Sequence, residues 1–306
     1  MIRQFILVVT ILCVGIAGAE AAEKFVPKID AKIIIRFSPK ARADIVQAIV
    51  DQWSQKAGGT LDTPLRIQHF FAQIATETGG MRLLEENLRY SSKRILEVFP
   101  SRVSPDEAQD LANNPIKLAN KVYNNRLGNN PPMDGWTYRG SGLIQLTGRE
   151  NFKKRGLELS LPFEKQPDLV RSTDGALTAA TAFWKARDIN KPADKDDVVE
   201  VRRRVNGGKN GLPEAKLWLA KAKKVFSEPG SAGAAGATFE EALALKELLI
   251  SRKLIVVDPG AAPDPQQVEN ALKTFQENNG IEASGTLDDD TFYQLTDPDN
   301  FKGLGE

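Results

Sequence analysis

A recurring helix-start signature constrains this chain more than any other feature. Thr63-Pro64, Ser104-Pro105-Asp106-Glu107 and Asn114-Pro115 each place a capping side chain directly before a proline. The cap oxygen satisfies an unpaired N–H of the first turn. Proline suits the first helical position, where its missing donor is no loss. Apolar residues recur at helical spacing nearby: Ile45, Ala48, Ile49 and Trp53 within 41–56, then Ile67, Phe70, Phe71 and Ile74. Gly58-Gly59 and Gly79-Gly80 stop these two helices. The same grammar predicts helices over 149–155, 174–187, 195–204 and 213–226. Residues 22–40 read as an irregular lead-in, and Gly140 to Thr147 as one small strand. The fold class predicted is mainly α, with a minor β element.

The chain divides near its C-terminal quarter. Pro229 to Ala237 is a run of Pro, Gly, Ser and Ala, which reads as a linker over 229–237. Beyond it, Phe239 to Ile250, Val268 to Phe275 and Asp288 to Leu295 predict a small three-helix module over 238–298. No catalytic constellation lies in that module. The larger domain then spans 22–228.

Scarce residues narrow the chemistry. The 306 residues hold one His, His69, and one Cys, Cys13. A zinc site needs more ligands of those types, so no metal site is expected. A Cys–His peptidase needs a cysteine inside the folded domain. His69 sits on the apolar helix and reads as a core or capping residue. A net charge of +1 offers no basic field for nucleic acid. Carboxylates remain as the candidate acids and bases.

Cys13 lies inside a secretory signal pattern over residues 1–21. Met1-Ile2-Arg3 is basic, Phe5 to Ile16 is mostly apolar, and Ala17-Gly18-Ala19 or Ala19-Glu20-Ala21 offers small-residue cleavage. An uncleaved anchor is the alternative, but the run is short for a spanning helix. Cleavage leaves an exported, cysteine-free protein in the periplasm or outside the cell, a monomer with no stable membrane association.

Two segments concentrate carboxylates beside turns. Glu77 ends the helix that precedes Gly79-Gly80, and Glu85-Glu86 follow in Leu84-Glu85-Glu86-Asn87-Leu88-Arg89-Tyr90. The negative end of a helix dipole and an apolar setting both favour the protonated form of a carboxyl there. A protonated Glu77 facing an ionised Glu85 or Glu86 across a groove is the pairing glycosidases use. An inverting mechanism places the two about 6.5–9.5 Å apart.

Five stretches, in order, resemble glycoside hydrolase family 19, which contains chitinases and lysozyme-like endolysins. They are Phe71 to Gly80, Glu86 to Ser91, Asn125 to Asn129, Trp136 to Phe152, and Val205 to Leu212. The resemblance covers roughly 40–226 and implies a lysozyme-like helical catalytic domain. It implies Glu77 as general acid and favours Glu86 over Glu85 as general base. It assigns Gln145, Asn151 and Asn206 to holding sugar amides and hydroxyls. Tyr90, Asn124, Arg126, Tyr138 and Arg139 are implied to line or brace the groove. Trp136 is the candidate for stacking on a sugar ring, while Trp53, Trp184 and Trp218 are expected in the core. No cofactor is implied. Two departures stand out: Thr76 where the family often has His, and Ser141 where it often has a second Arg.

The C-terminal stretch Val268 to Ile281, with Gly285-Thr286-Leu287 and Thr291-Phe292, resembles the three-helix peptidoglycan-binding domain. The implied function is an exported peptidoglycan hydrolase of muramidase type, cleaving a β-1,4 bond with inversion. A chitinase using the same groove is the alternative. A wall-binding protein with an inactive catalytic domain is a third.

Overall fold

The computed structural model describes residues 26–228, 232–256 and 264–300. The signal pattern over 1–21 lies outside the described residues. Helices α1 (Ala31–Phe37), α2 (Ala43–Lys56) and α3 (Pro64–Thr78) come first. A smaller group follows: α4 (Ser92–Val98), α5 (Pro105–Leu111), α6 (Pro115–Tyr123) and the short α7 (Asp134–Thr137). Then come α8 (Arg149–Leu159), α9 (Asp168–Arg171), α10 (Thr173–Ala186), α11 (Asn190–Ala193), α12 (Val198–Asn206) and α13 (Leu212–Phe226). The C-terminal part contributes α14 (Ala232–Ser251), α15 (Pro265–Asn278), α16 (Asp289–Leu295) and a single 3₁₀ turn, Pro298–Asn300.

The cap–proline signatures open α3, α5 and α6. Thr63 Oγ1 accepts from the Arg66 N–H at 3.3 Å, and Asn114 Oδ1 from Lys117 N at 3.1 Å. Ser104 and Glu107 form a reciprocal capping box, with Ser104 N donating to Glu107 Oε2 at 2.9 Å. Each such cap stabilises its helix by about 1 kcal/mol.

Three expectations are corrected. The lead-in is not all irregular: Asp30 caps α1 by accepting from Ile33 N at 3.0 Å, and Ile34 and Phe37 bury one turn apart. The expected small strand over 140–147 is absent. Among the described residues, β pairing is limited to the isolated bridges Glu85–Ser141 and Ser141–Leu146. Positive φ at Gly142 (75°) and Gln145 (50°) folds the segment back on itself, so that Ser141 pairs with Leu146 instead of extending. Third, residues 232–237 are not a linker but the opening of α14. Alanine has the highest helix propensity and outweighs the two glycines there. Residues 229–231 lie outside the described residues.

Two hydrophobic cores result. The larger surrounds α3, where Phe71 stacks between Trp53 (5.5 Å) and Phe226 (4.7 Å), and Phe37 meets Trp218 at 5.2 Å. Phe70 meets Trp184 edge-on at 5.4 Å. The smaller core joins α4, α5 and α6 through Ile95, Val98, Ala108, Leu111, Leu118 and Val122, with Leu88, Tyr90 and Phe99 beside them. The C-terminal helices do not form a core of their own. Leu248, Leu249, Leu272, Phe292 and Leu295 bury into the larger one, and Phe292 packs on Trp218 at 4.6 Å. No described helix is long and apolar enough to cross a membrane.

Candidate active site

A cleft of about 280 Å³ opens between the two cores. Glu77 reaches it from the C-terminal end of α3, which belongs to the larger core. Glu86 reaches it from the segment that feeds the smaller core. That segment decides which of two adjacent glutamates faces inward. From Leu84 to Tyr90 burial alternates strictly: Leu84, Glu86, Leu88 and Tyr90 in, Glu85, Asn87 and Arg89 out. This is the two-residue period of extended backbone. Glu85 therefore points away, its side chain 54% exposed and paired with Arg139.

Each inward carboxylate has its own partner. Glu77 Oε1 accepts from Arg202 Nη1 at 2.5 Å. Arg202 comes from α12 and is fully buried; it also donates to Gln73 Oε1 at 3.1 Å and to the Asn210 carbonyl at 2.6 Å. Gln73 and Glu77 lie one helical turn apart, so one guanidinium spans both. The apolar setting expected for Glu77 is thus corrected: its carboxylate meets a cation. Glu86 Oε1 accepts from Tyr123 OH at 2.7 Å, and Oε2 from the Gly140 N–H at 3.3 Å. The backbones are tied as well, Glu86 N to Gly140 O at 2.8 Å. A Cβ on Gly140 would come within 2.9 Å of Gln145 Oε1 and 3.2 Å of Glu86 Oε2. A side chain there would displace Gln145 and press on Glu86.

Gln145, Asn151 and Asn206 line the same cleft. Gln145 is held by a 3.1 Å bond to the Gly142 carbonyl, and Asn151 by a 2.7 Å bond to the Thr147 carbonyl. Phe99, Leu127, Ile144 and Phe183 add apolar surface.

The remaining residues named from sequence lie elsewhere. Tyr90 is buried, 5% exposed, and donates to Asp299 Oδ1 at 2.9 Å. Burial, then the charges of Asp299 and Glu86, push its phenol well above the usual tyrosine value. Trp136 does not offer the face expected for a sugar, because the Arg139 guanidinium lies 3.8 Å over its ring. Arg139 is buried, and it bonds the Trp136 carbonyl at 2.8 Å. Behind it, burial and the neighbouring Arg139 charge lower Arg171 to about 10. Tyr138 is buried against Phe152 and donates to the Glu164 carbonyl at 2.8 Å. Asn124 caps a loop, accepting from Gly135 N at 2.9 Å. Arg126 is exposed and outside the cleft lining. The other five support the walls rather than line them.

Both departures from the family pattern also sit behind the cleft. Thr76 is fully buried and donates to the Ala72 carbonyl; Ser141 is fully buried and donates to the Arg139 carbonyl. His69 is buried in the larger core, its Nε2 2.9 Å from Asp196 Oδ1. Among the described residues no cluster of His, Cys, Asp and Glu stands ready to hold a metal ion.

Sequence reasoning missed Arg202 and Tyr123. Arg202 is one of three consecutive arginines on α12, of which one buries completely against α3; Arg203 and Arg204 pair with Glu200. Tyr123 precedes the Asn125 loop and was open to suspicion as one of four tyrosines.

No family model matches the chain. A glycosyl hydrolase family 19 domain-containing protein of Haemophilus influenzae is 36% identical over 189 residues, covering 60% of this chain and 90% of the relative. The chain belongs to glycosyl hydrolase family 19. It is a glycoside hydrolase. Acidic endochitinase Q of Nicotiana tabacum is 39% identical over 64 residues, 20% of this chain and 25% of that protein. Among solved structures, chitinase C from Streptomyces griseus aligns over 64% of this chain and 74% of its own, at 17% identity and a TM-score of 0.38.

Proposed function

We propose that this family 19 enzyme is an exported peptidoglycan hydrolase of the muramidase type. Glu77 is the general acid that protonates the glycosidic oxygen between N-acetylmuramic acid and N-acetylglucosamine. Glu86 is the general base that activates water on the opposite face of the sugar, so the anomeric centre inverts. The observation that carries this reading is that both carboxylates line one cleft, each fixed by its own donors. Arg202 sets the orientation of Glu77. Tyr123 and the Gly140 N–H set that of Glu86. Gln145, Asn151 and Asn206 hold the sugar amides and hydroxyls. Acid–base hydrolysis of this kind needs no cofactor.

The preference for peptidoglycan is supported by the C-terminal likeness to a peptidoglycan-binding domain, and export by the signal pattern over 1–21. A chitinase is the second reading, favoured by the chitinase names of several relatives. The test is to incubate the full chain with purified peptidoglycan and, separately, with chitin oligomers. Products are reduced with borohydride and weighed by mass spectrometry. Reduced N-acetylmuramic acid ends with little chitin cleavage are expected. Cleaved chitin with intact wall would replace the proposal by the chitinase reading, and no cleavage of either would leave a binding protein.

A further inference from the structure

The last described residues return to the catalytic segment. Asp299 Oδ1 accepts from Tyr90 OH at 2.9 Å, and Oδ2 from Asn87 Nδ2 at 3.2 Å. Its backbone carbonyl accepts from Arg94. Asn87 is the neighbour of Glu86, and Tyr90 shares its inward face. Asp299 therefore grips the Glu86 segment from both sides of its pleat.

The same tail covers the turn between the two carboxylates. Eight residues separate Glu77 from Glu86, and Gly79-Gly80 make the turn. A Cβ on Gly79 would lie 3.1 Å from Pro298 Cδ, and one on Gly80 would come within 2.5 Å of the Tyr293 ring. Arg82 donates to the Gly79 carbonyl at 2.6 Å and lies 3.6 Å from Asp297 Oδ2. Tyr293 OH is 2.7 Å from Ser38 Oγ and accepts from Lys40 N at 3.0 Å. On α14's flank, Arg252 is ion-paired with the buried Glu214 at 2.6 Å. The C-terminal part is thus fastened to the catalytic part by core packing and by polar bonds at the site's edge.

We infer that the C-terminal tail is a latch, and that Asp299 is a positioning residue which holds the Glu86 segment in register with Glu77. The role of Glu86 rests on the function proposed above; the latch itself is a mechanical statement that does not. A loop free to move by an ångström misplaces its carboxylate relative to the bond and to the attacking water. Gly140 and Tyr123 hold Glu86 itself, whereas Asp299 holds the Asn87 and Tyr90 side chains that follow it in the segment. The C-terminal helices then serve catalysis directly, whatever polysaccharide they also touch.

Two readouts on the full chain test this. In Asp299→Ala, hydrogen exchange of the peptide spanning 84–92 is expected to quicken by about tenfold or more, the effect of losing bonds to a charged acceptor. Peptides from α2 and α10 are expected to be unchanged. On the preferred polysaccharide, kcat is expected to fall about tenfold with KM within about twofold, as befits a group that acts on the transition state alone. Asp299→Asn keeps an oxygen for Tyr90 and is expected to restore most of both. Unchanged exchange at 84–92 in a folded Asp299→Ala chain overturns the latch. Faster exchange with unchanged kcat overturns the positioning role. If Asp299→Ala fails to fold, Asp299→Asn against Tyr90→Phe decides, since Tyr90→Phe removes the same bond from the other side. An unmutated chain inactive on both polysaccharides sinks the proposed function, and hydrogen exchange alone then judges the latch.

Discussion

Replacing Arg202 with methionine removes the partner of Glu77 while keeping the bulk of the side chain. Arg202 is fully buried and Glu77 is 11% exposed. Deleting one member of a buried pair costs about 3–5 kcal/mol, because the other is left uncompensated. Water reaches Glu77 through the cleft, which places the cost near the lower end, about 3 kcal/mol. The lost bonds to Gln73 and Asn210 leave two further acceptors unpaired, but they share one donor group and are not added separately. At about 2–4 °C per kcal/mol for a chain of this size, the melting temperature should drop by about 6–12 °C. Turnover should fall by about 10²-fold, since Glu77 loses its orientation and the Asn210 loop its anchor. Arg202→Lys keeps the charge without the fork and should fall between the two. Differential scanning calorimetry and a reducing-end assay on the same preparations give both numbers. An Arg202→Met chain that melts within about 2 °C of the unmutated one and stays fully active would refute the reasoning.

Four further outcomes are expected. Tyr123→Phe, which deletes the 2.7 Å bond to Glu86, should lower kcat by about tenfold with little loss of stability, as read by initial rates and thermal melts. Gly140→Ala should lower kcat, because the new methyl lies 2.9 Å from Gln145 Oε1 and 3.1–3.2 Å from Glu86 Cβ and Oε2 and must displace both side chains; unchanged initial rates would show the cleft wall to be soft. On the alkaline side, Tyr90 has a raised folded value. Its contribution is complete below about pH 10 and is lost as pH rises through that value, so Tyr90→Phe should flatten the fall in urea stability there. On the acid side, burial alone would raise Asp196, but hydrogen bonds from His69 and Lys223 outweigh it and hold the carboxyl low. That contribution is present above about pH 4 and is lost as pH falls through the depressed folded value; Lys223→Met should remove part of the acid-limb slope in urea titrations.

The helices were legible because their signals are local. A cap and a proline at Thr63-Pro64 or Asn114-Pro115 specify a start whatever packs against it. Helix α1 was not, since its cap, Asp30, sits before an apolar run, Ile33-Ile34-Ile35, that reads equally as lead-in. The stretch after Gly140 carries Leu143, Ile144 and Leu146 in a run too short for a helix, which reads as a strand; the positive φ at Gly142 and Gln145 that folds it back is announced only by the glycine.

The site divides the same way. Glu77, Glu86, Gln145, Asn151 and Asn206 sit in motifs, and the fold brings all five to one cleft. Tyr90, Tyr138 and Arg139 sit in the same motifs but are buried, and the Arg139 guanidinium covers the Trp136 ring. Those outcomes depend on distant partners such as Asp299 and Glu164, which no motif shows. Arg202 is 125 residues from Glu77, and Asp299 is 209 from Tyr90. Pairings at that separation depend on tertiary packing, so no local pattern announces them.

The central claim is that Glu77 and Glu86 together perform the hydrolysis. The most direct test is the turnover of Glu77→Gln and Glu86→Gln chains, each checked for an unchanged melting temperature, on the polysaccharide the unmutated chain cleaves. Both should lose at least about 10²-fold in kcat, the usual contribution of a general acid or base. Either variant turning over at close to the unmutated rate would contradict the claim.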